Sequence, residues 1–446
     1  MKNPAHLEDL ISFLRHPSIS TDPAHKNDVA ACAKWVNEKL TSIGLDSRIY
    51  PTPGHPVLVA RNRHQPGRKT VLIYGHYDVQ PVDPRSLWAH DPFEPRIQNG
   101  RITARGATDN KGQILSHILG VQETLHEKKD LPVNLIFLIE GEEEVGSPNL
   151  AAFLQEHRKE LACDIVALSD TGMIEPGRGT LTYGLRGITC MEVRITGPDK
   201  DLHSGIYGGA VGNPLTVLSR LMATLHDTSG RVAIDGFYDC VKPLETWERE
   251  AWSKLPFHDS DILRLTGVPA LAPEKGYSAV ESTCGRPTAE LNGLYGGYQG
   301  EGSKTVIPSF AVAKLSFRLV PDQDPELIFE LASGHLKKHC PPSVRLELIN
   351  QHSGSAYVAD PHSAFGLAAQ SALRKTFPGK EPALVRDGGS VPIVADLKRI
   401  LGADSLLLGL ALPDARIHSP NENFPLENFE GGIRLNRALL EEIAGV

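Results

Sequence analysis

Apolar positions along the chain follow two rhythms that alternate. Leu7, Leu10, Ile11 and Leu14 keep the i, i+3, i+4, i+7 spacing of an amphipathic helix, and Val29, Ala33, Val36 and Leu40 repeat it. Short continuous apolar runs follow at Val57 to Ala60, Val71 to Tyr74, Val133 to Ile139 and Ile165 to Leu168, and each reads as a buried strand. Between two of them a helix carries Ile114, Leu115, Ile118, Leu119 and Leu125 on its apolar side. Apolar strands separated by helices imply an α/β layer with a largely parallel sheet.

The rhythm changes at Gly177–Gly187, a glycine-rich stretch suited to a domain boundary. Thr189 to Thr196 reads as a strand, and Asn213-Pro214 opens a helix bearing Leu215, Leu218, Leu221, Met222 and Leu225. From Asp227 to about Gly300 little periodicity is visible. Val306 to Val320 then alternates, with Ala311, Ala313, Leu315, Phe317 and Leu319 on one face and Lys314, Ser316 and Arg318 on the other. After His352, a helix at Ala364 to Thr376, a strand at Leu406 to Leu410 and a terminal helix from Leu426 restore the first rhythm. The expectation is an α/β catalytic domain with a mixed, mostly parallel sheet flanked by helices, formed by residues 1–182 and 355–446. A smaller α+β domain, residues 183–354, is inserted into it.

Composition narrows the class. A chain of 446 residues exceeds what one core usually supports. Its net charge of −8, with no run of Lys and Arg, argues against a nucleic-acid partner. Acidic residues interrupt the first ten positions, no apolar signal region follows, and no segment nears the roughly 18 apolar residues of a membrane span. The six cysteines are scattered without a Cys-x-x-Cys pair, as free thiols in a reducing compartment would be. A cytoplasmic protein without membrane contact is expected.

Ligands of open α/β sheets bind beyond the carboxyl ends of the strands, so those ends are where chemistry is sought. His76 and Asp78 follow Val71-Leu-Ile-Tyr-Gly, and Asp109 follows the strand at Ile102 to Ala104. Glu142, Glu143 and Glu144 follow Leu135-Ile-Phe-Leu-Ile-Glu-Gly; Asp170 follows Ile165-Val-Ala-Leu-Ser, and His418 trails Leu406 to Leu410. Each alone has a plain structural reading. His-x-Asp is commonly a surface pair, the glutamates could be a solvated run before a helix started by Ser147-Pro148, and Asp109 and Asp170 could be turn residues. Together they are harder to dismiss, because converging carboxylates raise one another's pKa unless a cation compensates. Two histidines with three carboxylates form an oxygen-rich set suited to zinc, manganese or cobalt. Two divalent ions would balance Asp109, Glu144, Asp170 and an ionised Glu143.

These residues resemble the M20 metallopeptidases, and within them the cytosolic nonspecific dipeptidase and carnosinase branch. The likeness spans nearly the whole chain. It rests on Gly75-His76-Tyr77-Asp78, Ala104-Arg-Gly-Ala-Thr-Asp109-Asn-Lys-Gly, Glu140-Gly-Glu-Glu-Glu-Val-Gly-Ser147 and Leu168-Ser-Asp170. It continues through Asp201-Leu-His203-Ser-Gly, Lys304-Thr-Val-Ile-Pro308, Phe317-Arg318, Gly388-Gly-Ser-Val-Pro392 and His418-Ser-Pro-Asn-Glu. The resemblance implies two metal ions per subunit, zinc in the first place and manganese or cobalt otherwise. His76 and Asp170 would hold one, Glu144 and His418 the other, with Asp109 bridging. Asp78 would orient His76. Glu143 would be the general base acting on a metal-bound hydroxide or water, and Glu142 a structural neighbour. His203 would reach the active site of a partner subunit in a homodimer and steady the oxyanion. Arg318 would clamp the substrate carboxylate, and Thr305, His352 and Ser390 fall at substrate-binding positions.

The activity so implied is hydrolysis of the amide bond of dipeptides. The alternative on the same dinuclear site is an N-acyl-amino-acid deacylase, a desuccinylase or a carboxypeptidase, so the substrate is a small peptide or an acyl-amino acid. A retired, non-catalytic metal binder is the rival from another class, yet every ligand and Glu143 are in place. No phosphate-binding loop, His-Glu-x-x-His helix or Gly-x-Ser-x-Gly elbow points elsewhere.

Overall fold

The computed structural model describes residues 3–446. They form two compact units, one made of residues 3–183, Ala359–Val385 and Ile393–Val446, the other of Gly184–Val358 and Arg386–Pro392.

In the first unit a sheet runs in the order Asp46–Tyr50, Val57–Arg61, Asn134–Glu140, Thr70–His76, Ile165–Leu168, Ser405–Gly409 and Thr180–Leu185. The four strands from Asn134–Glu140 to Ser405–Gly409 are mutually parallel, and the flanking ones are antiparallel. This is the α/β architecture expected. Thr70–His76 is buried beyond its first residue, and its last, His76, stands in register with Glu140 of the neighbouring strand. His76 and Glu140 thus stand side by side at the carboxyl ends of two parallel strands.

The helices Lys111–Lys128, Ala364–Thr376 and Leu426–Ala444 cover the sheet through side chains such as Leu115, Ile118, Leu119, Leu373, Leu439 and Leu440, all fully buried. Each such side chain contributes about 1.5–3 kcal/mol by leaving water. Leu119→Ala would leave a cavity costing about 2–5 kcal/mol. Among the described residues no helix is long and apolar enough to cross a membrane.

The second unit is α+β. Its antiparallel sheet has the order Thr288–Gly296, Phe310–Leu319, Gly187–Thr196, Arg345–Gly354. The alternation seen in the sequence is realised, since Ala311, Ala313, Leu315, Phe317 and Leu319 are all buried. They pack with Met191, Val193 and Ile195 beneath the helices Pro214–Ala223 and Pro325–His339. Both helices begin with Pro and are capped by a side chain, Asn213 in one and Asp324 in the other, which accepts from first-turn N–H groups.

Two local expectations are corrected. The stretch from Asp227 to Gly300 contains three helices and the strand Thr288–Gly296. A register shift between Leu291 and Gly293 breaks that strand's period-two alternation and hid it. Ser147 does not cap the helix after the acidic run. That helix starts at Leu150 behind Asn149, while Ser147 lies in left-handed backbone at φ 51° and turns its hydroxyl back to Glu140 at 2.8 Å.

Candidate metal centre

Every residue of the expected ligand set belongs to the first unit, where strand ends and loops deliver it. His76 closes its strand fully buried. Its neighbour Gly75 has no side chain because a Cβ there would meet Ile114 at 2.7 Å and the Asn110 side chain at 3.0 Å. Asp109 precedes the helix Lys111–Lys128, and Asp170 follows the strand Ile165–Leu168. Glu143 and Glu144 open a single 3-10 turn, Glu143–Val145. His418 is an exposed loop residue with left-handed φ 57°, a conformation uncommon outside glycine.

These residues converge. His76 Nε2 lies 3.2 Å from Asp109 Oδ1 and 3.8 Å from Asp170 Oδ2. His418 Nε2 lies 2.9 Å from Asp109 Oδ2 and 3.4 Å from Glu144 Oε2. Two groups of potential ligands result, His76, Asp109 and Asp170 in one and Asp109, Glu144 and His418 in the other. Asp109 belongs to both and gives one oxygen to each, the arrangement a bridging carboxylate adopts. A pair of candidate metal sites is therefore present, and neither fixes which divalent ion is taken.

A metal suits the donors. His76 Nε2 is buried and, close as the carboxylates are, makes no hydrogen bond among the described residues. On the other side of the ring, Nδ1 faces the Asp78 carbonyl at 3.2 Å and the Asp78 carboxylate at 3.3 Å. Holding the proton on Nδ1 leaves the Nε2 lone pair pointing into the carboxylates, as a ligand requires. A buried lone pair without a donor is costly unless a cation occupies the gap.

Charge tells the same story. Hydrogen bonds to Asp109 and then Glu144 push the His418 imidazole up to about 10. Burial alone would lower His76, but Asp109, Asp170 and Asp78 outweigh it and drive it well up. Burial would likewise raise Asp109, yet His418 and His76 hold it well below the carboxylate range. Burial pushes the Glu143 carboxyl well up, with His76 opposing and Asp170, Asp109 and Glu144 adding to the rise. The cluster is a basin of negative potential that collects whatever positive charge is present, protons or metal ions.

Supporting side chains fix the ligands, and of these the sequence singled out Asp78 alone. Gln80 donates through its side chain to Glu144 Oε2 at 2.8 Å and through its backbone N–H to Oε1 at 3.1 Å. Asn110 donates to Asp170 Oδ1 at 2.8 Å and to the Ser169 carbonyl at 2.7 Å. Asp78 reaches across the centre, accepting the Glu144 N–H at 3.1 Å while it faces His76. A signal existed, because each is within two residues of a ligand, or in Gln80's case four beyond His76. Glu142 is buried and accepts from Asn149 at 2.8 Å, a structural position.

The remaining expected residues belong to the second unit. Exposed His203 accepts the Gly205 N–H at Nδ1 and pairs with Val306, next to Thr305, whose carbonyl accepts the Ser204 N–H. Half-buried Arg318 donates to Ser390 Oγ at 3.1 Å, and Ser390 donates to the Arg186 carbonyl at 2.6 Å. His352 is exposed on the strand Arg345–Gly354. The structure thus brings Arg318 to Ser390 and His203 close to Thr305 in sequence-distant pairs.

Comparison with known proteins places these features. The model of peptidase family M20/M25/M40 matches residues 72–442. The Cys-Gly metallodipeptidase of Saccharomyces cerevisiae is 33% identical over 98% of this chain and 95% of its own length. The human Beta-Ala-His dipeptidase is 31% identical over 90% of this chain and 79% of its own. The crystal structure of an M20 family metallo-carboxypeptidase from Sulfolobus solfataricus superposes with a TM-score of 0.87 at 33% identity, covering 99% of both chains.

Proposed function

The chain belongs to peptidase family M20/M25/M40, and from that premise we propose that it is a dinuclear dipeptidase that hydrolyses the amide bond of dipeptides. The observation that carries this reading is Asp109, which faces His76 with one oxygen and His418 with the other. His76 and Asp170 would hold one ion, Glu144 and His418 the second, with Asp109 shared. Zinc is the first candidate for this donor set, with manganese or cobalt as substitutes. When bound, such ions lower the pKa of water and polarise a carbonyl.

The chain's own residues then do the rest. Glu143 takes the proton of the attacking water and returns it to the leaving amine. Burial, with Asp170, Asp109 and Glu144 nearby, raises its carboxyl, which suits a group that takes up a proton and gives it back. Asp78 keeps the His76 proton on Nδ1. In the second unit Arg318, steadied by Ser390, would receive the substrate carboxylate, with Thr305 and His352 as further substrate contacts. We read that unit, Gly184–Val358 with Arg386–Pro392, as the inserted domain expected at residues 183–354, and assign it the lid and dimer surface. His203 of one protomer would steady the oxyanion in its partner. Exposed Ile206 and Tyr207 beside it support a covered surface. Six unpaired cysteines support the cytoplasm as its compartment.

The relatives that cleave dipeptides support this substrate class, while the metallo-carboxypeptidase likeness favours a second reading, removal of C-terminal residues from longer peptides. The test is amino-acid release from dipeptides, tripeptides and N-acyl amino acids by chelator-stripped protein with zinc, manganese or cobalt restored. Metal-dependent cleavage of dipeptides, with tripeptides poor, is expected. Preferred cleavage of longer peptides would make it a carboxypeptidase, and cleavage of N-acyl amino acids alone a deacylase. No cleavage with any metal would leave a non-catalytic metal binder.

A further inference from the structure

Glu422 follows His418 by four residues and has no role in the chemistry above. It is completely buried, as is its partner Arg105. Its carboxylate gathers four donors from one short loop. Oε1 accepts the N–H groups of Thr108 at 2.8 Å and Asp109 at 2.9 Å, and Oε2 accepts the Gly106 N–H at 2.9 Å and Arg105 Nη1 at 2.9 Å. Gly106 has φ 84°, a left-handed turn that lets the loop fold around the carboxylate. Flanking bonds lock the two segments together. The Ala104 N–H donates to the Glu422 carbonyl, and Thr108 Oγ1 donates to the Asn423 carbonyl at 2.8 Å.

We propose that Glu422 is a positioning residue for the metal centre, which sets Asp109 against His418 and so holds the bridging carboxylate in place for both ions. The inference rests on the dinuclear reading of the site. Three backbone N–H groups converge on one side chain, and each would be costly if left buried and unpaired. Arg105 balances the carboxylate's charge, and its Nη2 donates to the Pro81 carbonyl, three residues past Asp78. The orientation of the peptide entering Asp109 is therefore dictated by a residue carried on the His418 loop. Moving Glu422 moves both halves of the 2.9 Å contact between Asp109 and His418. Gln80 is the contrasting case, since it grips Glu144 and touches one half only.

The experiment is competitive titration of full-length wild type, Glu422→Gln and Gln80→Ala with zinc ions against a chromophoric chelator, with thermal unfolding followed in parallel. The amide keeps the size but loses one acceptor oxygen, so both zinc dissociation constants should rise by about 10- to 100-fold in Glu422→Gln. Only one should rise in Gln80→Ala. A folded Glu422→Gln protein that binds two zinc ions as tightly as wild type, or weakens at one ion alone, would overturn the proposal even if it melts earlier. Should this single change prevent folding by stranding Arg105, the double change Arg105→Met with Glu422→Gln removes the unpaired charge, and the same criteria apply to it. A wild-type protein that binds fewer than two zinc ions would instead bring down the dinuclear reading.

Discussion

Asp109 Oδ2 lies 2.9 Å from His418 Nε2 although 309 residues separate the two along the chain. Because Oδ1 of the same carboxylate faces His76 at 3.2 Å, the two candidate ligand groups share Asp109. Loss of Asp109 acts on both, whereas loss of Asp170 or Glu144 acts first on one.

Stripping the metals should therefore destabilise the fold as well as stop turnover. Without cations, three carboxylates converge with only histidine protons between them. A ligand present at a thousand times its dissociation constant stabilises by about 4 kcal/mol, and chelation forfeits that amount. Scanning calorimetry should show a lower melting temperature after chelation that zinc restores, and Asp109→Asn should lose the response entirely. An unchanged melting temperature across these conditions would count against the site.

Glu143→Gln should separate binding from catalysis. The amide cannot accept the proton, yet Glu143 belongs to neither ligand group. Metal content by mass spectrometry should stay at the wild-type value while kcat falls about 100- to 10,000-fold. Loss of an ion in this variant would mean that the ligand and the base had been exchanged between Glu143 and Glu144.

Much of this was legible before any coordinates. His76, Asp109, Glu144, Asp170 and His418 all stand at or beyond the ends of apolar runs, where a parallel sheet must present its polar chemistry. The strand Thr70–His76 and the helix Ala364–Thr376 follow directly from their apolar patterns. What stayed hidden depended on distant partners. Gln80 and Glu422 carry no periodic signal, and their roles exist only because loops far apart in sequence meet. Thr288–Gly296 was missed because a bulge shifts its side chains by one residue, and the Ser147 cap failed because a hydroxyl found Glu140 instead of a helix end.

Substrate recognition is open to test through Arg318 and His203. A charge-assisted hydrogen bond is worth about 1.5–3 kcal/mol, so Arg318→Met should raise KM roughly 10- to 100-fold for dipeptides. Peptides with an amidated C-terminus should be poor for both proteins, since the carboxylate is the partner proposed. His203→Ala should fold and lose turnover. Mixing it with Glu143→Gln should recover part of the activity through dimers holding one intact site, and no recovery would argue for a role within its own subunit.

Acid stability should report on His117, which is buried between sheet and helices. Ser169 donates its hydroxyl to the Leu408 carbonyl at 2.6 Å, so His117 Nε2, 2.8 Å away, must donate to Ser169 Oγ. Asn436 donates to Nδ1 at 3.0 Å. Both ring nitrogens are satisfied only in the neutral tautomer, and burial pushes the imidazole down from its ordinary 6.5 to about 4. Protons then bind the unfolded chain more readily than the folded one between those two values. The stability this residue provides is complete above pH 6.5, declines as pH falls, and is gone below about pH 4, a loss of roughly 3 kcal/mol. Urea unfolding at pH 7 and pH 4.5 should show a smaller acid loss for His117→Gln than for wild type. Equal losses would mean that the imidazole is already protonated in the folded protein.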